Sequence, residues 1–434
     1  MRNATLSIVA CMLLAACAGA ADPDAASGFG PDPVLPPPDE SLLPTINVAK
    51  AVGWPEGARP VPAAGTQVAA FARGLDHPRW LHVLPNGDVL AAESNAPERP
   101  DEGFSLMGWI TNLIMSRAGA VTKSADRITL LRDTDGDGVA DERSTLLEGL
   151  HSPFGMALIE DQLYVANTDA VLRFPYEAGQ TRITVAGDTL VELPGGPLNQ
   201  HWTKNLIASP DGTTLYAAIG SNSNIGENGM DIEVGRAAIW AIDRKTGAHR
   251  IFASGLRNPV GMAWQPVTGE LWVAVNERDE LGDNLVPDYM TAVHDGAFYG
   301  WPYSYFGQNV DTRVQPQDPT LVATARMPDY ALGAHTASLG LAAALGNQLP
   351  ARFAEGMFVG QHGSWNRSPR SGYKVIFVPF EEGQPSGAPE DVLTGFLVDD
   401  EARGRPVGVA IAADGALLVA DDVGNVIWRV SPAD

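Results

Sequence analysis

Cysteine is almost missing from this chain. Of 434 residues only Cys11 and Cys17 are cysteines. Beyond residue 17 no intrachain disulfide can form, so the fold must be held by packing and by any metal it binds. Positive charge is also scarce, with 29 Lys and Arg against 52 Asp and Glu and a formal net charge of −23. Nucleic acids and anionic membrane surfaces demand a basic footprint, so neither is expected as a partner. The Cys-x-x-Cys-His signature of a covalently attached haem does not occur. The apolar stretch from Leu6 to Ala16 is too short to span a bilayer comfortably. Hydrophobic residues nevertheless make up 45% of the chain, enough for a full core at this length.

Arg2 followed by that apolar stretch reads as a signal-peptide leader. Leu14-Ala15-Ala16-Cys17 resembles a bacterial lipobox, which implies a leader of residues 1–17, diacylation of Cys17, and an exported protein anchored on the periplasmic side. Ordinary cleavage, with Cys17 removed or left unmodified, is the alternative. Residues 18–65 carry Pro31, Pro33, Pro36, Pro37, Pro38, Pro44, Pro55, Pro60 and Pro62. Proline removes backbone donors and favours extended chain, so this segment is expected to be a linker or a wrapping arm. Residues 66–434 form the remaining domain.

Within that domain one pattern recurs: an apolar run, a turn rich in Asp, Asn or Gly, and a second apolar run. It appears at 81–93, 206–220, 262–275 and 409–422, with weaker copies at 156–167 and 341–349. Each copy reads as a β-hairpin. Anchoring the copies at 78, 153, 203, 259, 338 and 406 gives spacings of 75, 50, 56, 79 and 68 residues. Six all-β copies of that size predict a six-bladed β-propeller, with an irregular sandwich as the alternative. Residues 104–125 are expected to form a short helical insert in the first blade. The two residues before each anchor should meet at one mouth of the central channel. They are Asp76-His77, His151-Ser152, His201-Trp202, Arg257-Asn258, Thr336-Ala337 and Gly404-Arg405. Loops held by a rigid scaffold are where sites tend to lie.

His201 and Arg257 occupy equivalent points of neighbouring copies. An imidazole can take a proton near neutral pH, and a guanidinium can stabilise developing negative charge. The pair suits oxidation of an alcohol; a hydrogen-bonding role for the histidine is the plainer alternative. The segments HWTKNLIASPDGTTLYAAIGS (201–221), ASGLRNPVGMAWQPVTGELWVAVNERDELGDN (253–284) and YGWP (299–302) are similar to soluble sugar dehydrogenases that use pyrroloquinoline quinone (PQQ). GSWNRS (363–368), SGYKV (371–375) and GRPVGVAIAADGALLVADD (404–422) resemble the sorbosone dehydrogenase branch. The resemblance implies that His201 is the general base and that hydride passes to the quinone. It implies that Arg257 and Asn258 contact the quinone oxygens and that Arg367 and Arg405 hold PQQ carboxylates. The backbone carbonyls of Arg278 and Asp279 fall where the family coordinates calcium. His151 and His335, on the same ring, are grouped with the cofactor-contacting residues and are the rival bases.

Two departures from the family pattern stand out. Ile219-Gly220-Ser221 replaces an Ile-Gly-Asp whose carboxylate orients the base, so Glu227 or Asp231 is a substitute, or none exists. Arg278-Asp279 replaces a Gly-Pro pair. Separately, DTDGDGVAD (133–141) sets Asp133, Asp135, Asp137 and Asp141 around Gly138, as a calcium loop requires, although Ser144 stands where an EF-hand has Glu. A filled structural calcium loop and an empty acidic turn are both open. The expected activity is PQQ- and calcium-dependent oxidation of an aldose or sugar aldehyde, with electrons leaving to an external cytochrome or quinone. The alternatives are a calcium-dependent lactonase-like propeller and a non-catalytic propeller that binds sugars or partners.

Overall fold

The structure, a computed structural model, describes residues 28–39, 45–98, 119 and 122–433. The leader, Cys17 and most of the helical insert expected at 104–125 lie outside the described residues. The chain is all-β, built from small antiparallel sheets in the manner of a β-propeller, with only short helical turns among the described residues. Six sheets have four or more strands, and their first strands are Pro78–Val83, Met156–Ile159, Lys204–Ala208, Pro259–Trp264, Ser338–Ala343 and Pro406–Ile411. Consecutive residues from all six line one cavity of about 420 Å³, among them His82, Leu158, Asn205 and Met262. The second strands Val89–Glu93, Leu271–Val275 and Leu417–Asp421 are buried at every residue, because neighbouring sheets cover both faces. This is why they read as continuous apolar runs rather than alternating ones.

What lets the first strands come together is the absence of side chains. Gly155, Gly261, Gly340 and Gly408 stand two residues after their anchors. A Cβ at each would strike the backbone of the following sheet, at Leu206, Leu341, Val407 and Arg79 respectively. At Gly261 the Leu341 nitrogen would lie only 2.5 Å away. The other two junctions use side chains. Asn205 donates from Nδ2 to the Val260 carbonyl at 2.7 Å, and Trp80 packs on Phe154 with ring centroids 4.9 Å apart. The six junctions run in cyclic order, and Gly408 against Arg79 joins the last sheet to the first.

The ring is also tied by its ends. Thr66–Arg73 pairs antiparallel with Val426–Pro432 as the outer strand of the last sheet. The proline-rich segment before it is an arm laid on this scaffold. Phe29–Gly30 extends the fourth sheet and Val61–Pro62 the fifth. Trp54 packs edge-on against Phe396 and Trp428 and donates from Nε1 to Asp421 at 2.7 Å. One hairpin differs from expectation. In the fifth sheet the second strand is Gly356–Gln361, so 344–355 is a longer connection than LAAALGNQL suggested. The Asn347 side chain donates to the carbonyls of Ala344 and Phe353, closing that loop locally.

Gly261→Ala should destabilise the protein by about 1–3 kcal/mol, the usual range for overpacking a tight site. Chemical denaturation measures this. An unchanged midpoint would mean that the inner strands do not depend on that close approach.

Candidate functional site

Because strands alternate in direction, residues leading into each first strand and residues leaving each second strand lie at the same end of the ring. The six dipeptides before the anchors therefore share one mouth with Asn167–Asp169, Ser221–Asn224, Asn276–Asp279, His362-Gly363 and Asp422. The acidic loop 133–141 joins a third strand to a fourth and lies at the opposite end.

His201 is partly buried. Its Nδ1 lies 2.8 Å from the Ser221 carbonyl oxygen and 3.0 Å from the Ser221 hydroxyl. A carbonyl can only accept, so Nδ1 carries the proton and Nε2 is the acceptor nitrogen. No hydrogen bond to Nε2 occurs among the described residues. Burial, and then the charge of Arg257, keep His201 neutral by pushing its pKa well below the ordinary value. The orienting group sought at Glu227 or Asp231 is thus the backbone of Ser221. Glu227 accepts instead from the amides of Asn224 and Ile225. Gly220 makes the contact possible, since a Cβ there would lie 2.5 Å from His201 Cβ and strike Asn258 Oδ1.

Arg257 is fully buried, and its donors are spent inside the protein. Nε donates to the Asn224 carbonyl. Nη1 donates to those of Asn276 and Glu277, and Nη2 to Asn224 Oδ1 and Asp279. Asn258 is buried beside it, and its Oδ1 has no partner among the described residues. Asp279 is a hub. Asn366 donates to its Oδ1 at 2.8 Å, His335 Nδ1 lies 3.4 Å from the same oxygen, and Arg257 lies 3.4 Å from Oδ2. Burial alone would raise the Asp279 pKa. The His335 hydrogen bond, Arg257 and Asn366 outweigh it and hold the carboxyl at about 2. For His335 burial lowers the pKa but the bond and charge of Asp279 raise it further. With Nε2 donating to the Gly282 carbonyl at 2.8 Å, both His335 nitrogens are engaged. His151 is exposed, and its Nδ1 lies 2.7 Å from Asp169.

Arg367 donates to the Asp283 and Pro369 carbonyls and to Asn284 Oδ1, one bond from each nitrogen. Arg405 lies over the Tyr373 ring at 4.8 Å and donates to the Tyr373 hydroxyl, while its Nε has no partner among the described residues. The Arg278 side chain turns away to Asp311, where both are buried. The Asp279 carbonyl accepts from Arg278 Nε at 2.9 Å and from Asn224 Nδ2 at 3.4 Å. In the acidic loop the carboxylates of Asp133, Asp135 and Asp141 gather within 4.8 Å of one another. Asp137 instead accepts from the Val139 amide.

Sequence reasoning missed a second hub. Asp422 is buried and receives Arg79 Nη1 at 2.5 Å and His362 Nε2 at 2.9 Å, with His77 Nε2 at 3.4 Å. Burial would raise its pKa; His362, His77 and Arg79 together drive it well below the carboxylate range. Asp422 leaves its second strand at the register that Ser221 and Asn276 hold in theirs, with Asp279 three residues further on. Aligning the ends of the second strands, as well as the starts of the first, would have drawn attention to it.

The family model described as TrAA12-like matches residues 113–297 and 302–433. The chain belongs to the TrAA12-like family. A PQQ-dependent pyranose dehydrogenase of Coprinopsis cinerea is 26% identical over 85% of this chain and 54% of its own length, so the chain spans about half of that relative. An uncharacterised protein of Borreliella burgdorferi is 28% identical over 81% of the chain and 95% of its own length. Among solved structures, the holo PQQ domain of the Coprinopsis enzyme superposes with a TM-score of 0.69 at 21% identity, covering 88% of this chain and 100% of that one. A Trichoderma reesei enzyme of family AA12 gives 0.69 at 19% identity, with 91% and 100% covered. At these identities the superpositions speak for the fold. The kinship with PQQ sugar dehydrogenases read from 201–221 and 253–302 is borne out by these relatives.

His362 supplies a pH test of the Asp422 hub. Burial is the main cause holding its pKa at about 4, against an ordinary 6.5. Between those values the unfolded chain binds a proton that the folded one refuses, so the wild type loses stability as pH falls. His362→Gln should therefore gain stability relative to wild type between pH 6.5 and 4, by about 1.4 kcal/mol per pH unit. A difference independent of pH in that window contradicts the assignment.

Proposed function

We propose that this protein oxidises a sugar, an aldose or sugar aldehyde, at the mouth of the ring, with PQQ as hydride acceptor and His201 as general base. One observation carries the reading: His201 is neutral, fixed through Nδ1 by the Ser221 carbonyl, and keeps an acceptor Nε2 with no partner among the described residues. The PQQ-dependent pyranose dehydrogenase among the relatives supports it. In this reading the six sheets are six blades, a count supported by the cyclic junctions of their first strands.

Bound PQQ supplies a quinone carbon that accepts hydride; the residues supply proton transfer, charge and shape. His201 Nε2 takes the hydroxyl proton as the C–H bond breaks. Arg257 spends its donors on protein oxygens, so it acts as a fixed positive charge beside the reacting oxygen rather than as a fork for the ligand. Arg367 and Arg405 keep N–H groups beyond their protein bonds, which suits a ligand bearing carboxylates. Asn258 Oδ1, buried near His201 and without a partner among the described residues, adds an acceptor. The backbone at 278–279 does not fit a carbonyl pair for calcium, because donors already occupy the Asp279 carbonyl, so no step depends on a metal there. The distal acidic loop is read as a structural calcium site formed by Asp133, Asp135 and Asp141. Electrons then leave to an external cytochrome or quinone. Export and acylation at Cys17 belong to the same reading and rest on the leader alone.

Dye-linked sugar oxidation with added PQQ tests the base. His201→Ala should lower turnover by about a hundredfold to ten-thousandfold while PQQ affinity stays close to wild type. Near-normal turnover in that variant, together with its loss in His151→Ala, would transfer the role to the exposed His151–Asp169 pair. For the acidic loop, the double substitution Asp133→Ala and Asp135→Ala should abolish any rise in melting temperature on adding calcium. A rise equal to that of the wild type would place the calcium elsewhere.

A further inference from the structure

Lys204 is a buried titratable group that the mechanism above does not use. It lies in the first strand of the third sheet, three residues after His201, and has no exposed surface. Its Nζ donates to the carbonyl oxygens of His201 and Trp202, both at 3.2 Å, and to Asn199 Oδ1 at 3.5 Å. Burial, and then the charge of Arg236, push its pKa well below the ordinary lysine value, but three acceptors around one nitrogen call for the three N–H groups of an ammonium. Among the described residues no carboxylate lies within ion-pair distance of it. Buried charges are normally paired, so an apolar side chain would suit the core better if packing alone decided the position.

Two of these acceptors have other holders, one from the second sheet and one from the third. The Trp202 carbonyl also accepts from Thr168 Oγ1 of the second sheet at 2.9 Å. Asn199 donates from Nδ2 to the same Thr168 hydroxyl and accepts from Arg236 of its own sheet. The Gln200 amide donates to Asn222. The segment 199–202 is therefore held at every residue, and the peptide units that fix the direction of the His201 side chain are gripped by one ammonium.

We infer that Lys204 is a positioning residue for His201, acting by holding the carbonyls of His201 and Trp202 and thereby aiming the imidazole at Ser221 and the mouth. The inference rests on the reading of His201 as the base. It also has an electrostatic side. The charged groups facing His201 are Arg257, Asp279 and Lys204. Lys204 and Arg257 oppose formation of an imidazolium, whereas Asp279 favours it, so removing the lysine shifts the balance toward protonation.

The test uses the full-length protein and two readouts. In Lys204→Met, kcat for PQQ-dependent sugar oxidation should fall about tenfold to a hundredfold, as expected when a reacting group is misplaced by a fraction of an ångström to one ångström. KM and PQQ affinity should stay within about threefold, because neither ligand meets Lys204. NMR of labelled histidine should show the His201 imidazole titrating at higher pH than in wild type. Thr168→Val keeps the cation and removes one bond to the Trp202 carbonyl. It serves if the lysine variant does not fold, and it should lower kcat by a smaller factor without moving the His201 titration. Lys204→Met with a lower melting temperature but wild-type kcat and an unmoved His201 titration overturns the inference, as does wild-type kcat in Thr168→Val. If the wild type oxidises no sugar with PQQ, the reading of the function fails, and the His201 titration still decides whether Lys204 acts on that imidazole.

Discussion

The close backbone approach of the six first strands governs the rest of this structure. Glycine at Gly155, Gly261, Gly340 and Gly408 lets one strand lie against the next with no side chain between them. Only then do the residues preceding those strands converge on one mouth. His201 and Arg257 stand about 56 residues apart in the chain, yet they come together because their strands are neighbours. The chain ends reinforce the ring. Thr66–Arg73 completes the last sheet, and the arm before it fixes Trp54 on Asp421, whose Oδ1 also accepts the Arg405 amide.

At the mouth the chain satisfies most of its charges internally. Asp279 gathers Arg257 from its own sheet and His335 from the loop into the next, and Asp422 gathers Arg79, His77 and His362 from other sheets, so both carboxylates stay ionised although buried. The result is a set of fixed charges whose geometry is settled before a ligand arrives, which is what electrostatic stabilisation requires. Within that field His201 differs from His335. His335 has an oxygen acceptor against each nitrogen and is locked, whereas His201 donates from one and keeps the other as an acceptor. A backbone carbonyl fixes the tautomer as a carboxylate would, but adds no full negative charge to raise the basicity of the ring.

Much of this was legible in the sequence, for physical reasons that differ by element. The hairpins at 81–93, 206–220, 262–275 and 409–422 were readable because tight turns need particular residues and the flanking strands are buried on both faces. The register that aligned His201 with Arg257 followed from those hairpins. The connection at 344–355 was misread because LGNQ imitates a two-residue turn, and what closes it is a set of side-chain bonds invisible to local pattern. The Asp422 hub joins His77, Arg79 and His362 across three sheets, and no local spacing announces such a contact. The role of the Ser221 carbonyl was hidden for another reason: every residue has a carbonyl, so sequence cannot mark the one that orients a base. Arg257 precedes its strand as the register implies, but the sequence could not tell that its five N–H groups are committed to protein oxygens.

PQQ binding at this mouth is the premise of the proposed function, and a direct titration tests it. Adding PQQ to the purified protein, with and without calcium, and following the cofactor absorbance should give saturable binding. That binding should weaken in Arg405→Ala and persist in His201→Ala, because in the proposed reading the first holds the cofactor and the second only moves a proton. No saturable binding by the wild type at any calcium concentration would contradict the account.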